Sequence, residues 1–317
     1  MPHSNRQTRY FITGGAGFIG SHLADRLVET GKVTVYDNLS SGKLRFIKDH
    51  LGKDNFNFIQ GDLLDTGKLR GAIAGHDVVF HLAANPEVRA GIEATDLDLR
   101  EGPTATWSVL EAMRLSHIKK LVFTSSSTVY GDAGTTVVTE DYGPLVPISL
   151  YGASKVASEA LISAFCHLFD MQAWCFRLAN VVGARLTHGV IYDFIGKLKR
   201  DPKHLEILGD GRQQKPYLHV FDCVSGMLFG VAHAQEMFNV FNLGPSSSTS
   251  VTAIASMVAE TMGLPGVKFE FTGGKQGWWG DVPQVRLDAT RIKRLGWEPG
   301  YSSVEAVERA VKEMVEG

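Results

Sequence analysis

The fold class is decided by the stretch Arg9-Tyr10-Phe11-Ile12-Thr13-Gly14-Gly15-Ala16-Gly17-Phe18-Ile19-Gly20-Ser21-His22-Leu23. Its first five residues are largely apolar and β-branched, which predicts a strand. The glycines satisfy both Gly-x-x-Gly-x-x-Gly and Gly-x-Gly-x-x-Gly, and they permit a tight turn and a close approach of backbone to a pyrophosphate. The following segment, Ser21 to Thr30, is helical in pattern, with Gly31 expected at the C′ position. The N-terminus of that helix suits an anion, so the sequence predicts a dinucleotide-binding unit.

A second predicted strand, Lys32 to Tyr36, leads directly to an acidic residue, Asp37, twenty residues past Gly17. A carboxylate at this spacing accepts a hydrogen bond from the adenosine ribose. It also repels a 2′-phosphate, which favours NAD over NADP. Lys43 and Arg45 lie nearby and weaken that preference slightly.

Strands alternate with helices along the first part of the chain. The further predicted strands are 56–60, 77–84, 119–124 and 174–180, and the predicted helices include 105–114 and 151–169. Repeated βα units predict an α/β fold with a doubly wound parallel sheet, in which ligands bind beyond the C-terminal strand ends. The polar or small residues singled out in the sequence all fall at those ends: Gly14, Asp37, Asp62, Ala83, Ser126 and Asn180.

Two neighbouring segments carry candidate chemistry: Ser125-Ser126-Ser127-Thr128-Val129-Tyr130-Gly131 and Tyr151-Gly152-Ala153-Ser154-Lys155. Tyr151 and Lys155 are four residues apart and share one face of a helix. An ammonium group beside a phenol lowers the phenol's pKa, and a phenolate is a general base for an alcohol proton. Such pairs are common by chance, but behind a dinucleotide fingerprint this one predicts catalysis.

Composition excludes other classes of protein. The chain has 44% hydrophobic and 21% charged residues and a formal net charge of −2, so no electrostatic footprint for nucleic acid or an anionic membrane is expected. No apolar run approaches membrane-spanning length, and the polar segment Met1 to Thr8 shows no secretory signal. The three cysteines, Cys166, Cys175 and Cys223, are expected as buried thiols in a cytoplasmic protein, and the scattered histidines predict no metal site.

The organisation changes after Asn180, where turn-forming and aromatic residues become more frequent. We predict a dinucleotide-binding domain over residues 1–180, to which 217–243 return, and a smaller C-terminal α/β substrate lobe formed by 181–216 and 244–317.

These motifs together resemble the extended short-chain dehydrogenase/reductases of the nucleotide-sugar epimerase group and, within it, the archaeal-type UDP-glucose 4-epimerases. The resemblance runs from Arg9 onward. Besides the glycine turn, the Ser segment and Tyr151-x-x-x-Lys155, it is carried by 37–42, 81–89, 180–183, 188–194, 209–211 and 277–283.

The resemblance implies NAD-dependent inversion at C4 of a UDP-sugar through a transient 4-keto intermediate. Tyr151 would be the base, Lys155 would hold the nicotinamide ribose and Ser126 would hold the alcohol. It assigns cofactor binding to Gly14, Gly17, Phe18, Ile19, Gly20, Asp37, Asn38, Ser41, Gly42, Asp62, Leu63, Leu82, Ala83, Ala84, Tyr151 and Lys155, and substrate binding to Ser126, Asn180, Val190, Lys215, Tyr217 and Arg286.

Several alternatives stay open at this point. Related dehydratases carry Asp-Glu after the hydroxyl residue, whereas this chain has Ser127-Thr128, which disfavours elimination. UDP-glucuronate and UDP-N-acetylhexosamines remain possible substrates, as does a nucleotide-sugar reductase or dehydrogenase activity. A sensor protein without catalysis is disfavoured by the intact Tyr151, Lys155 and Ser126.

The chain departs from the family's pattern at Gly102, where relatives have Asn, and at Gln214 and Gln276, where relatives tend to have Arg. Arg185, like Lys215 and Arg286, is a candidate to neutralise a diphosphate.

Two further expectations concern association and substrate breadth. Relatives dimerise through two helices, and here those helices carry apolar residues on more than one face: Trp107, Val109, Leu110, Met113, Leu161, Ile162, Phe165 and Phe169. Val285 is expected to border the sugar's C2 side. The competing interpretation is that it packs inward and that Trp279 closes the gap.

Overall fold

The computed structural model describes residues 6–317, so the first five residues of the polar N-terminal segment lie outside the described residues. The strands are β1 Thr8–Thr13, β2 Gly31–Asp37, β3 Phe56–Gln60, β4 Val78–His81, β5 Lys120–Ser126, β6 Val137–Val138, β7 Gln172–Leu178, β8 Asn180–Val182, β9 His204–Ile207, β10 Gln214–Lys215, β11 Tyr217–His219, β12 Phe238–Leu243, β13 Thr249–Ser250, β14 Lys268–Phe271 and β15 Arg286–Leu287. The helices are α1 Phe18–Leu27, α2 Thr66–Ile73, α3 Ala90–Glu93, α4 Leu97–Leu99, α5 Ala105–Leu115, α6 Leu150–Phe169, α7 Val190–Arg200, α8 Val220–His233, α9 Val251–Thr261, α10 Thr290–Arg294 and α11 Ser303–Glu316.

Seven parallel strands form the central sheet, in the order β12-β7-β5-β4-β1-β2-β3. The strand β1 pairs with β2 on one side and with β4 on the other, so the chain changes winding direction beside β1. In a doubly wound sheet this is where a crevice opens at the carboxyl strand ends. The predicted α/β class with a doubly wound parallel sheet is confirmed.

Successive side chains of each strand point to opposite faces of the sheet, and helices cover both faces. Phe11 packs with Leu69 of α2, Val109 of α5 and Ile162 of α6 on one face. Its neighbour Ile12 belongs to the cluster on the other face, with residues of α1 and α8. This two-sided support holds the carboxyl ends of the strands in fixed positions.

A third apolar cluster is drawn from α7, β9, α9 and α11. Between its contributing segments, β12 returns to the central sheet and pairs with β7. Among residues 6–317, no helix has the length and apolar character needed to cross a membrane.

The structure corrects one detail of the first βα unit. Helix α1 begins at Phe18 rather than Ser21 and ends at Leu27, and Gly31 opens β2 instead of capping the helix. A Cβ at Gly31 would collide with the backbone carbonyl oxygen of Thr8 on the neighbouring strand β1 and would lie 2.6 Å from Cε2 of Tyr10. Glycine is therefore required there by close strand packing, not by a left-handed helix end.

We predict that Gly31→Ala lowers the free energy of unfolding by about 1–3 kcal/mol, because the added methyl group collides with the Thr8 carbonyl and overpacks the contact with Tyr10. Gly71→Ala is the matched control, since Gly71 is helical, exposed and has open space around its Cα. That control should raise stability by about 0.5–1 kcal/mol. Equal effects of the two substitutions in urea unfolding would contradict the packing argument.

Candidate active site

The glycine turn after β1 brings backbone to within contact of the neighbouring strand ends. Gly14 has a φ of 68°, a conformation that favours glycine, and a Cβ there would lie 2.7 Å from the Ala83 nitrogen. A Cβ at Gly20 would lie 2.8 Å from the Cα of Gly15. The first turn of α1 contains no acidic side chain, and its cap, Gly17, provides no side-chain hydrogen bond. The helix terminus is thus open to an anion such as a pyrophosphate.

Asp37 ends β2 with its carboxylate fixed by backbone. Its Oδ2 accepts a hydrogen bond from the Ala16 N–H at 3.0 Å, and its Oδ1 accepts one from the Leu39 N–H at 2.8 Å. Burial raises the pKa of this carboxyl group, while the two backbone donors act in the opposite direction. A Cβ at Gly42 would lie 2.7 Å from Oδ1, so Gly42 permits the close packing around the carboxylate.

A cavity of about 600 Å³ runs along the carboxyl ends of the strands. Its walls include every residue assigned above to cofactor binding except Gly42, which lies behind Asp37. The same walls contain Ser126, Asn180, Val190, Lys215 and Tyr217. One continuous space therefore joins the glycine turn to the pair Tyr151 and Lys155. The glycine turn and the fixed Asp37 carboxylate fit an adenine dinucleotide.

Tyr151 lies in the first turn of α6, where Ser149 caps the helix by accepting a hydrogen bond from the Gly152 N–H at 3.1 Å. Lys155 is buried and its Nζ donates to the Thr124 carbonyl at 2.8 Å. This ammonium lies 5.5 Å from the centroid of the Tyr151 ring. The hydroxyl of Ser126 accepts from the Thr128 N–H at 3.2 Å and so lies at the start of the turn after β5.

The expectation that Lys155 lowers the pKa of Tyr151 is wrong for the protein alone. Burial raises the pKa of Tyr151 to about 12, the Asp98 carboxylate adds to the increase, and only Ser126 opposes it. Burial also lowers the pKa of Lys155 to about 8. The physical reason is that desolvation disfavours the charged form of both groups, and the ammonium is directed at the Thr124 carbonyl.

A buried polar network lies behind the Tyr–Lys pair and carried no sequence motif. Glu159, one turn beyond Lys155, accepts hydrogen bonds from Arg177 Nη2 at 2.7 Å and Nε at 3.0 Å. The Ser125 hydroxyl donates to the same carboxylate at 2.5 Å, and Arg177 Nη1 donates to the Tyr130 hydroxyl at 3.0 Å. This network fixes α6 against the ends of β5 and β7. The only sequence signal for it was the i, i+4 spacing of Lys155 and Glu159.

The predicted phosphate ligands do not all reach the cavity. Lys215 lies in its wall, with Nζ 2.5 Å from Asp281 Oδ1. Arg286 is exposed on β15, whose partner is β6, and does not line the cavity. Arg185 is outside the wall as well and pairs with Asp25 at 2.9 Å. The assignment of Arg286 to substrate binding therefore stays a prediction to which the cavity wall adds no support.

Three further positions singled out in the sequence are Val285, Trp279 and Gly102, and the structure shows how each is packed. Val285 packs against the core and Trp279 is 86% exposed, and neither residue lines the cavity. Trp278 does line the cavity. A Cβ at Gly102 would lie 2.7 Å from the Cβ of Ser154, so α6 occupies the space that a larger residue would take.

Gln276 donates a hydrogen bond to the Asp281 carbonyl at 3.2 Å. His81 is buried between Thr13 and Thr106, with its ring nitrogens 2.7 Å and 3.1 Å from their hydroxyls.

Sequence reasoning missed part of the cavity wall. The missed residues of the wall are Asn85, Glu87, Arg89, Glu101, Thr124, Ala179 and Thr187. The first three lie in the segment 81–89 that carried the family resemblance, and Thr124 and Ala179 lie at or near the ends of β5 and β7. Among residues 6–317, no group of three or more His, Cys, Asp or Glu side chains could hold a metal ion.

We predict that Asp37→Ala weakens NAD binding by about tenfold to hundredfold, the value of a hydrogen bond to a charged group. It should also narrow the ratio of NAD to NADP affinity, because the repulsion of a 2′-phosphate is lost. Asp37→Asn is the control that removes the charge and keeps an acceptor for the Leu39 N–H. An unchanged affinity ratio in calorimetric titrations of both variants would remove Asp37 from cofactor selection.

Comparison with known proteins places this geometry in a family. The family model described as "NAD dependent epimerase/dehydratase family" matches residues 10–244. The UDP-glucose 4-epimerase of Mycolicibacterium smegmatis is 33% identical to this chain, over 96% of the chain and 97% of the relative.

Solved structures agree with that match. A crystal structure of a UDP-galactose 4-epimerase is 40% identical, with a TM-score of 0.86, and covers 96% of this chain and 98% of its own. The UDP-glucose 4-epimerase of Thermotoga maritima, solved with UDP-glucose, is 30% identical, with a TM-score of 0.87 and coverages of 96% and 98%.

Proposed function

This chain belongs to the NAD-dependent epimerase/dehydratase family, and we propose that it interconverts UDP-glucose and UDP-galactose by inversion at C4. It is an NAD-dependent nucleotide-sugar epimerase, and thus an isomerase. The observation that carries the proposal is that Tyr151, Ser126 and Lys155 share one cavity wall with the glycine turn and Asp37.

The side chains of this chain account for the proton transfers. Tyr151 takes the proton of the C4 hydroxyl, while the Ser126 hydroxyl holds the same alcohol in place. NAD, when bound, accepts the C4 hydride and returns it. After the 4-keto sugar has turned within the cavity, the hydride would return to the opposite face of C4, and Tyr151 would give the proton back to the C4 oxygen. Lys155, buried and held by the Thr124 carbonyl, would bind the nicotinamide ribose with its ammonium group.

Elimination of water, the other reaction in this family's description, is disfavoured by the turn after Ser126. The Thr128 hydroxyl lies in the cavity wall and donates to Ser126 Oγ at 3.0 Å. Ser127 is buried outside that wall. Neither hydroxyl serves as an acid or base near neutral pH. The Thr128 hydroxyl instead orients Ser126, the residue proposed to hold the substrate alcohol.

The test is direct assay of purified protein. We expect NAD to be released on denaturation, and UDP-glucose and UDP-galactose to interconvert without added cofactor, as followed by NMR. A panel of UDP-, dTDP-, GDP- and CDP-sugars separates the alternatives. Inversion only of UDP-glucuronate or of UDP-N-acetylhexosamines would move the assignment to that sugar. Net oxidation or reduction of the sugar would replace it by a dehydrogenase or reductase.

We predict that Tyr151→Phe lowers kcat by about 10²–10⁴-fold or more, because the proton-transfer group is lost. Fold and NAD binding should be retained, since Phe keeps the ring. Tyr192→Phe is the matched control, because Tyr192 is 48% exposed and outside the cavity wall. Epimerisation by Tyr151→Phe at the control's rate would exclude Tyr151 as the base.

The division into two lobes is part of the proposal. A dinucleotide-binding domain of 1–180 with 217–243, and a substrate lobe of 181–216 with 244–317, are supported by the return of β12 to the sheet and by the separate apolar cluster of α7, α9 and α11. The cofactor would bind the first and the nucleotide sugar would lie between the two.

A cytoplasmic location is likewise proposed. Its support is that Cys166, Cys175 and Cys223 are all free and buried, as suits a reducing compartment.

We further propose a homodimer formed through α5 and α6. Trp107 on α5 is 45% exposed, and Leu161, Phe165 and Phe169 on α6 are only partly buried. Val109, Leu110, Met113 and Ile162 are buried in the chain's own core, so they form the apolar stripe of each helix that faces inward and leave the other stripe for the proposed interface.

We predict that Trp107→Glu converts a dimer into a monomer in light scattering at micromolar concentration. The reason is that a buried, unpaired carboxylate at the centre of an apolar interface is strongly unfavourable. Leu51→Glu is the matched control, because Leu51 is also 45% exposed and belongs to neither helix. A monomeric wild type would refute the proposal.

A further inference from the structure

A buried carboxylate beside the active site has no role in the reaction as described above. Asp98, in the short helix α4, is 2% exposed. Its Oδ1 accepts a hydrogen bond from Asn85 Nδ2 at 3.0 Å, and Asn85 lines the cavity. Its Oδ2 is buried and accepts no hydrogen bond from the residues that the structure describes. Burying such an oxygen is costly, so its retention suggests a function.

The Asp98 carboxylate lies beside the start of α6. A Cβ on Gly91 would collide with Asp98 Oδ2 and would lie 3.5 Å from the Cβ of Leu150, the residue before Tyr151. Glycine at position 91 thus leaves room for the carboxylate beside the first turn of the catalytic helix. The short helix α4 packs on α6 and on the π-helical turn 100–104.

Among residues 6–317, no cationic side chain forms an ion pair with Asp98. From the π-helical turn, Arg100 is paired with Asp96 at 2.9 Å, and Glu101 is a second acid. Glu93 of α3 is exposed, and Glu87 of the cavity wall is paired with Arg89 at 3.0 Å. From α6, the two groups that respond to the Asp98 charge are Tyr151 and Lys155, and the pKa of each is raised by it.

We propose that Asp98 is a positioning residue of the epimerase, whose negative charge keeps the proton on Tyr151 whenever the positive charge of the oxidised nicotinamide is absent. This inference rests on the proposed function. While that positive charge is present, it offsets Asp98, and Tyr151 accepts the C4 hydroxyl proton as the C4 hydride leaves. Once the hydride has moved, the positive charge is gone and Asp98 favours protonated Tyr151. The proton stays on the phenol until the hydride returns to the sugar and the proton follows it.

The test substitutes Asp98→Asn in the NAD-loaded enzyme. Asn keeps the size and the acceptor for Asn85 and removes the charge. Because an anion raises the pKa of both Tyr151 and Lys155, its removal should move both the acidic and the alkaline limb of the kcat profile to lower pH, by about one unit. Asp96→Asn is the matched control, since Asp96 is an exposed carboxylate two residues earlier, and its profile should stay at the wild-type position. Lower kcat with unmoved limbs would reduce Asp98 to a structural role and overturn the proposal.

A second readout does not depend on turnover. Tyrosine labelled at Cζ, with Tyr151→Phe to assign the signal, reports ionisation of Tyr151 by NMR in the NAD-loaded protein. We expect a lower titration midpoint in Asp98→Asn than in wild type, and an equal midpoint would overturn the proposal. If no UDP-sugar is epimerised but the midpoint still moves, the electrostatic role stands and the proposed function fails.

If Asp98→Asn does not fold, the test is made on the wild-type protein by NMR of the labelled carboxyl carbon of Asp98. The carboxyl group must be ionised across the pH range in which activity rises. A protonated Asp98 there would contradict the proposal.

Discussion

The close approach of the Gly14 backbone to two neighbouring strand ends is the constraint on which the site depends. The Gly14 N–H donates to the Tyr36 carbonyl at 3.0 Å, one residue before Asp37, and its Cα faces the backbone of Ala83. Any side chain at position 14 would separate β1 from the loop after β4. Because of this contact, Asp37, the glycine turn and Ala83 of the cavity wall lie next to one another. A single backbone contact thus fixes the positions of the groups that bind the cofactor.

Most of the fold could be predicted because its signals are local. Apolar β-branched runs, glycine spacing and helical periodicity identify the strands and helices without any tertiary information. What depended on packing between distant segments could not be predicted. Gly31 shows this: its role is set by the Thr8 carbonyl and the Tyr10 ring on the neighbouring strand, so a rule about helix ends assigned it wrongly. The position of Arg286 outside the cavity wall, on a strand that pairs with β6, likewise depends on contacts between distant segments.

The site was predicted residue by residue where a motif existed, and missed where only three-dimensional proximity exists. Tyr151, Lys155 and Ser126 stand in recognisable segments, and the structure brings them to one wall. Asp98 and Glu159 stand in no motif singled out from the sequence, yet both raise the pKa of Lys155. The direction of the Tyr151 shift was also beyond sequence reasoning, because burial is a property of the folded state.

Burial acts on the Tyr151–Lys155 pair in a way that makes its charge state conditional. Desolvation favours the neutral form of each group, so the protein alone does not store a phenolate beside an ammonium. Most cations in the cavity wall are already matched by acids: Lys215 by Asp281, Lys197 by Glu206 and Arg89 by Glu87. A further positive charge near Tyr151 must therefore come with a ligand. If Tyr151 is the base that we propose, its ionisation only with the oxidised cofactor avoids proton transfer without hydride transfer, and in an epimerase the two must be returned to the same sugar.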